Sequence, residues 1–148
     1  MLNMQKTIKL GGLFILMGLI FITFFQGAKK SGTLFYDGIY QTSLQIKDGD
    51  TTRGYLRFYS DGSAIAATST GKVLDLKNWF NKEEIGKSHL GKYTIAGKTI
   101  KFNIGLAPKD VEYSGTIKGK KLNLHIKSNI NGFQGDNIYK FFKIKGMK

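Results

Sequence analysis

From Tyr36 onward, apolar residues recur at every second position, and glycine-bearing turns cut that pattern into short runs. Successive side chains leave a strand on opposite faces, so this period predicts half-buried β-strands rather than helices. Lys47-Asp48-Gly49-Asp50, Ser60-Asp61-Gly62-Ser63, Ala96-Gly97-Lys98, Lys118-Gly119-Lys120 and Asn131-Gly132 supply the positive-φ positions of tight hairpins. Five such signals between alternating runs predict an all-β domain in which neighbouring strands pair in sequence order.

Taken strand by strand, the residues expected to face inward are Tyr40, Leu44 and Ile46, then Leu56 and Phe58, then Ile65 and Ala67. Five further strands follow: Tyr93 and Ile95; Ile100, Phe102 and Ile104; Val111, Tyr113 and Ile117; Leu122, Leu124 and Ile126; Phe142 and Ile144. Their alternates, such as Lys101, Asn103, Glu112, Asn123, Lys127 and Lys140, form a solvated outer face. The pattern breaks over residues 73–84, where Val73, Leu76, Trp79 and Phe80 fall at helical spacing. A short amphipathic helix is expected there, between the third and fourth strands, covering one end of the sheet system. Eight antiparallel strands close most simply into an up-and-down β-barrel, since closure removes exposed edges. A strongly bent half-barrel is the alternative.

Residues 1–30 are of another kind. Leu10–Ala28 carries no charge, with Lys6 and Lys9 before it and Lys29 and Lys30 after. Its strongly apolar part lies between the length of a signal-peptide core and that of a comfortable membrane span. Cleavage after Ala28 or Gly27 would place Gln26 or Phe25 where signal peptidase needs a small residue, which favours an uncleaved signal anchor over a removed signal peptide. The expectation is therefore a single-pass membrane protein with an N-terminal transmembrane helix in residues 1–30. Residues 31–148 would form one β-barrel domain on the extracytoplasmic side. Cleavage would instead leave a secreted or periplasmic domain.

Composition excludes several chemistries. There is no cysteine, hence no disulfide, thiolate metal site or thiol nucleophile. His89 and His125 have no second histidine or acid nearby in sequence, so no metal site is expected, and no cofactor is implied. No Gly-x-Ser-x-Gly occurs, and the paired acids Glu83 and Glu84 diverge as sequence neighbours. Catalysis is not expected. The net charge is +13, and a lysine excess remains beyond residue 30, which suits an anionic surface: lipid, wall polymer or partner protein. With only Arg53 and Arg57 as arginines, sequence-specific nucleic-acid readout is poorly served.

The stretch Asp37-Gly38-Ile39-Tyr40 resembles the Gly-x-Trp opening of lipocalins, with Tyr in place of Trp. Gly91–Ile100 and Tyr113–Leu122 are similar to the repeating hairpins of small bacterial lipocalin-like domains. The resemblance implies a barrel that binds an apolar ligand. On that reading Tyr40, Phe58, Tyr93, Phe102 and Tyr113 line the interior, with Trp79 and Phe80 on the covering helix. A second candidate is Tyr55, Arg57 and Tyr59, which alternate on the second strand as an outer aromatic and cationic stripe. The expected function is a membrane-anchored binding module for a small apolar or amphipathic ligand. The alternative is an envelope interaction protein acting through its basic surface.

Overall fold

A computed structural model describes residues 32–47 and 49–147. These residues form nine strands: β1 Gly38–Gln41, β2 Gln45–Lys47, β3 Asp50–Phe58, β4 Ser63–Ser69, β5 Leu90–Ala96, β6 Thr99–Leu106, β7 Lys109–Lys118, β8 Lys121–Ser128 and β9 Gln134–Lys143. Neighbours from β2 to β9 pair antiparallel in sequence order, and β1 pairs with both β3 and β9. The seam from Gly38↔Lys143 to Gln41↔Lys140 closes the sheet on itself, so the half-barrel is set aside. β1 and β2 are two halves of one strand interrupted at 42–44. There the Thr42 N–H donates to the Gly54 carbonyl and the Gly54 N–H donates to Thr42 Oγ1, both at 3.0 Å. The result is a closed, eight-stranded up-and-down barrel. The expected turn glycines all have positive φ: Gly49 88°, Gly62 83°, Gly97 61°, Gly119 57° and Gly132 74°.

Two apolar cores flank the barrel wall. The inner one contains Tyr40, Leu56, Phe58, Ile100, Phe102, Ile104, Leu122, Leu124 and Tyr139. The outer one, against β1, β3 and β4, gathers Ile39, Tyr55, Ile65, Leu76, Phe80, Ile144 and Met147. This layer corrects the expected inward set. On β4 it is Ala64 and Ala66 that face the interior, while Ile65 and Ala67 face outward. Both faces of β4 are apolar, and the small pair fits inside because large rings already fill that space. On β9, Tyr139 and Phe141 point inward; Phe142 is exposed and Ile144 joins the outer layer. Leu44 and Ile46 are exposed as well, because the strand breaks before them.

No α-helix forms over residues 73–84. The linker between β4 and β5 holds two single 3-10 turns, Asp75–Asn78 and Lys87–His89. The Asn81 side chain accepts the N–H groups of Glu83 at 3.1 Å and Glu84 at 3.0 Å, a local bond that competes with helix propagation. A segment this short also pays a nucleation cost that few helical bonds would offset. It covers the outer wall rather than an end of the barrel: Leu76 and Phe80 are fully buried against β3 and β4, while Trp79 is 40% exposed.

The barrel end bearing the β3–β4, β5–β6 and β7–β8 turns, here called basal, is plugged by residues 32–36. The Gly32 N–H donates to the Gly97 carbonyl at 2.7 Å, Leu34 is buried, and Phe35 stacks on Phe141 at 4.9 Å. The Phe35 N–H donates to Tyr40 Oη at 3.0 Å, which fixes the angle at which the chain enters β1. Among the described residues no helix is long and apolar enough to cross a membrane; the expected N-terminal span lies outside them.

Candidate functional site

From the basal end to its middle the barrel is solid. Phe58 meets Tyr40 at 5.5 Å and Tyr93 and Phe102 at 5.3 Å, all edge to face, and Phe102 stacks on Tyr113 at 4.6 Å. Such ring pairs add about 0.5–1.5 kcal/mol each beyond the area they bury. The inward positions of Tyr40, Phe58, Phe102 and Tyr113 thus agree with the alternation, but the first three spend their surface on one another. Tyr93 donates to the Tyr59 carbonyl at 2.9 Å near the basal rim.

Beyond Tyr113 the interior opens. A cup of about 270 Å3 lies at the opposite end, the mouth, between the β2–β3 turn and the 128–134 loop. Its floor is Tyr113, Tyr139, Val111 and Ile126, and its wall carries the uncharged polar groups of Thr42, Gln45, Thr52, Thr68, Ser128 and Asn137. Gly54 leaves room in this space, since a Cβ there would meet Tyr139 Oη at 2.9 Å. Gln45 Nε2 donates to Asn137 Oδ1 at 3.1 Å, tying β2 to β9 across the mouth. Burial pushes the Tyr113 phenol up to about 12 and raises that of Tyr139 as well. Both remain neutral donors at any physiological pH, and neither hydroxyl is bonded to another described residue. Around the mouth, Leu44, Ile46, Leu106, Ile130 and Phe133 are exposed.

Of the seven residues expected to line a ligand site, Tyr113 alone borders the cup. Trp79 and Phe80 stand on the far side of the wall. Tyr55 and Arg57 do lie on the outer face of β3, with Tyr59 just past its end, but the β4–β5 linker covers them. Tyr55 is 1% exposed and donates to the Gly71 carbonyl at 2.7 Å; Arg57 donates to the Phe80 carbonyl at 3.0 Å, with its guanidinium 4.8 Å from the Tyr59 ring. The stripe holds down the linker.

The cup residues missed in the sequence are mostly Thr, Ser and Asn on strand ends, types that also mark ordinary turns. The one available signal was Gly54, a glycine within a strand. Another pairing was not legible either. His125 Nδ1 lies 2.8 Å from Asp136 Oδ1, and Ser114 stands opposite His125 in register. Asp136 is eleven residues from His125 in the chain and becomes its neighbour only through the β8–β9 register. The pair sits on an open, solvated sheet face, where water screens the charges that general-base chemistry would depend on. No group of three or more metal-ligating side chains occurs among the described residues.

Comparison of the chain with protein-family models, with curated proteins and with solved structures gives no match.

Proposed function

We propose that this protein is a membrane-tethered, lipocalin-like binding module that takes a small amphipathic molecule into the mouth of its barrel. The observation that carries the reading is the cup itself: an apolar floor, two phenol donors and an uncharged polar wall inside an otherwise filled barrel. Apolar surface with a few placed polar groups is the usual chemistry of a small-molecule site. Its volume lies below the roughly 300 Å3 at which drug-sized ligand pockets begin, so the ligand is small. The exposed apolar residues of the rim give an alkyl group a path inward. Leu10–Ala28 is the tether in this reading, with the barrel on the extracytoplasmic side.

Titration of the purified full chain with 1-octanol, followed by amide NMR, tests the proposal. Shifts should concentrate at Thr52, Gly54, Val111, Ser128 and Tyr139, and Thr52→Trp should weaken binding at least tenfold. Shifts spread evenly over the barrel, or binding indifferent to Thr52→Trp, would sink the reading.

A further inference from the structure

Charge is distributed unevenly along the barrel axis. Lys98, Lys118, Lys120, Lys121 and Lys140 are all exposed, and all lie on or beside the basal turns. Register places Lys118 opposite Lys121 and Lys121 opposite Lys140, so three lysines run side by side across β7, β8 and β9. Like charges directly opposite each other destabilise a sheet. None of the five is ion-paired among the described residues. The basal acids Asp37 and Asp61 are engaged by Lys143 at 2.8 Å and Lys82 at 2.6 Å. Glu83 and Glu84 follow Lys82, whose N–H donates to Tyr59 Oη beside the β3–β4 turn, and among the described residues neither is ion-paired with a lysine of the row. Beside the row, a groove of about 540 Å3 is lined by Phe35 and Ile117, with Lys98 and Lys118 among its other residues.

The chain enters the barrel at this same end. Gly32 is bonded to Gly97 in the β5–β6 turn, and only Lys29, Lys30 and Ser31 separate it from Ala28. Four residue steps span at most roughly 14 Å. A bilayer holding Leu10–Ala28 would therefore lie within reach of the basal lysines and face away from the mouth.

We infer that the basal lysine row is a docking surface for an anionic lipid leaflet, which holds the barrel upright on the membrane with its cup directed outward. The inference rests on the tether reading for its geometry, and on the position of the lysines for its chemistry. Each lysine near an anionic surface strengthens attachment about fivefold, and the groove gives a headgroup apolar and cationic contacts together.

The chain has no cysteine, so single labels report cleanly. Thr99→Cys at the basal end and Lys109→Cys at the mouth are made in the full chain. Each is labelled with a fluorophore and reconstituted into vesicles whose headgroups carry a nitroxide quencher, either phosphatidylcholine alone or with about a third phosphatidylglycerol. The basal label should be quenched at least twofold more in the anionic vesicles, and the mouth label in neither. The excess should vanish in Lys98→Gln/Lys118→Gln/Lys120→Gln/Lys121→Gln and survive in the corresponding Arg variant. About 0.5 M salt, where screening reaches only a few ångströms, should abolish it as well. Basal quenching independent of lipid charge would overturn the docking while leaving the tether intact. Quenching at the mouth would assign the membrane contact to the apolar rim instead. Failure of the full chain to stay with either vesicle would remove the tether and the docking together. Competition by heparin without any lipid effect would assign the lysines to a soluble polyanion.

Discussion

Single atoms decide whether this sheet can curl. Gly91 and Gly115 face the interior of β5 and β7, and a Cβ at these positions would come 1.7 Å from the Asn103 carbonyl oxygen and 1.9 Å from that of Asn123. No rotamer relieves a clash with backbone, so these glycines are where neighbouring strands approach most closely as the sheet bends. Gly115→Ala should cost more than about 3 kcal/mol in denaturant unfolding, in the upper range for single substitutions. Gly119→Asn is the control, because nothing lies within 4 Å of its site and asparagine tolerates its φ of +57°. It should cost less than about 1 kcal/mol. Equal losses at the two sites would refute the close-approach account. The turn glycines were readable from sequence, since positive φ leaves a signature between alternating runs. The interior glycines carry no such signature, because their role depends on the strand alongside.

At the scale of elements, the β4–β5 linker shows how a correct pattern can carry a wrong structure. Val73, Leu76 and Phe80 do share one apolar surface, as their spacing implied, yet turns and tertiary packing produce that surface without an α-helix. What the linker covers was not legible: Ile65 and Tyr55 form an apolar patch outside the barrel, and alternation alone assigns only one face of a sheet to the core. Phe80→Ala should therefore destabilise the protein by about 3–5 kcal/mol, the usual range for a buried phenylalanine. Trp79→Ala, at a residue packed edge-on against Phe80 with much of its ring in water, should cost about 1 kcal/mol or less. Thermal melts of the two variants separate this arrangement from a lid helix buried through its tryptophan, which would reverse the order. β4 and β9 were misread for a related reason. Each carries apolar residues on both faces, so hydrophobicity alone does not choose which ones point in: on β4 the small pair Ala64 and Ala66 does, on β9 the rings of Tyr139 and Phe141.

For the molecule as a whole, ionisation bounds stability on both sides of neutrality. Lys143 holds Asp37 below the usual carboxylate range, Lys82 and Ser63 do so for Asp61, Asn129 and Asn103 for Asp110, and Asn129 and Lys127 for Glu112. Their folded values lie below their unfolded ones, so this stabilisation is complete above about pH 4.5 and is lost as pH falls through the folded values. Burial acts in the opposite sense on the phenols, pushing Tyr40 and Tyr113 up to about 12. Their contribution is complete below about pH 10 and disappears as pH rises toward 12. The melting temperature should be flat from about pH 5 to 9 and fall on either side, with fewer tyrosines ionised at pH 11 by ultraviolet absorbance than in the unfolded chain. A melting temperature rising between pH 4 and 3 would contradict the carboxylate assignment. The seam between Gly38–Gln41 and Lys140–Lys143 also imposes an order in time. Among the described strands β1 leaves the ribosome first, and it acquires its second neighbour only when β9 has been made, nearly a full domain later. Until then one edge of β1 lacks its partner and Phe35 lacks the ring it stacks on, so a chain emerging N-terminus first completes its barrel only after synthesis has passed β9.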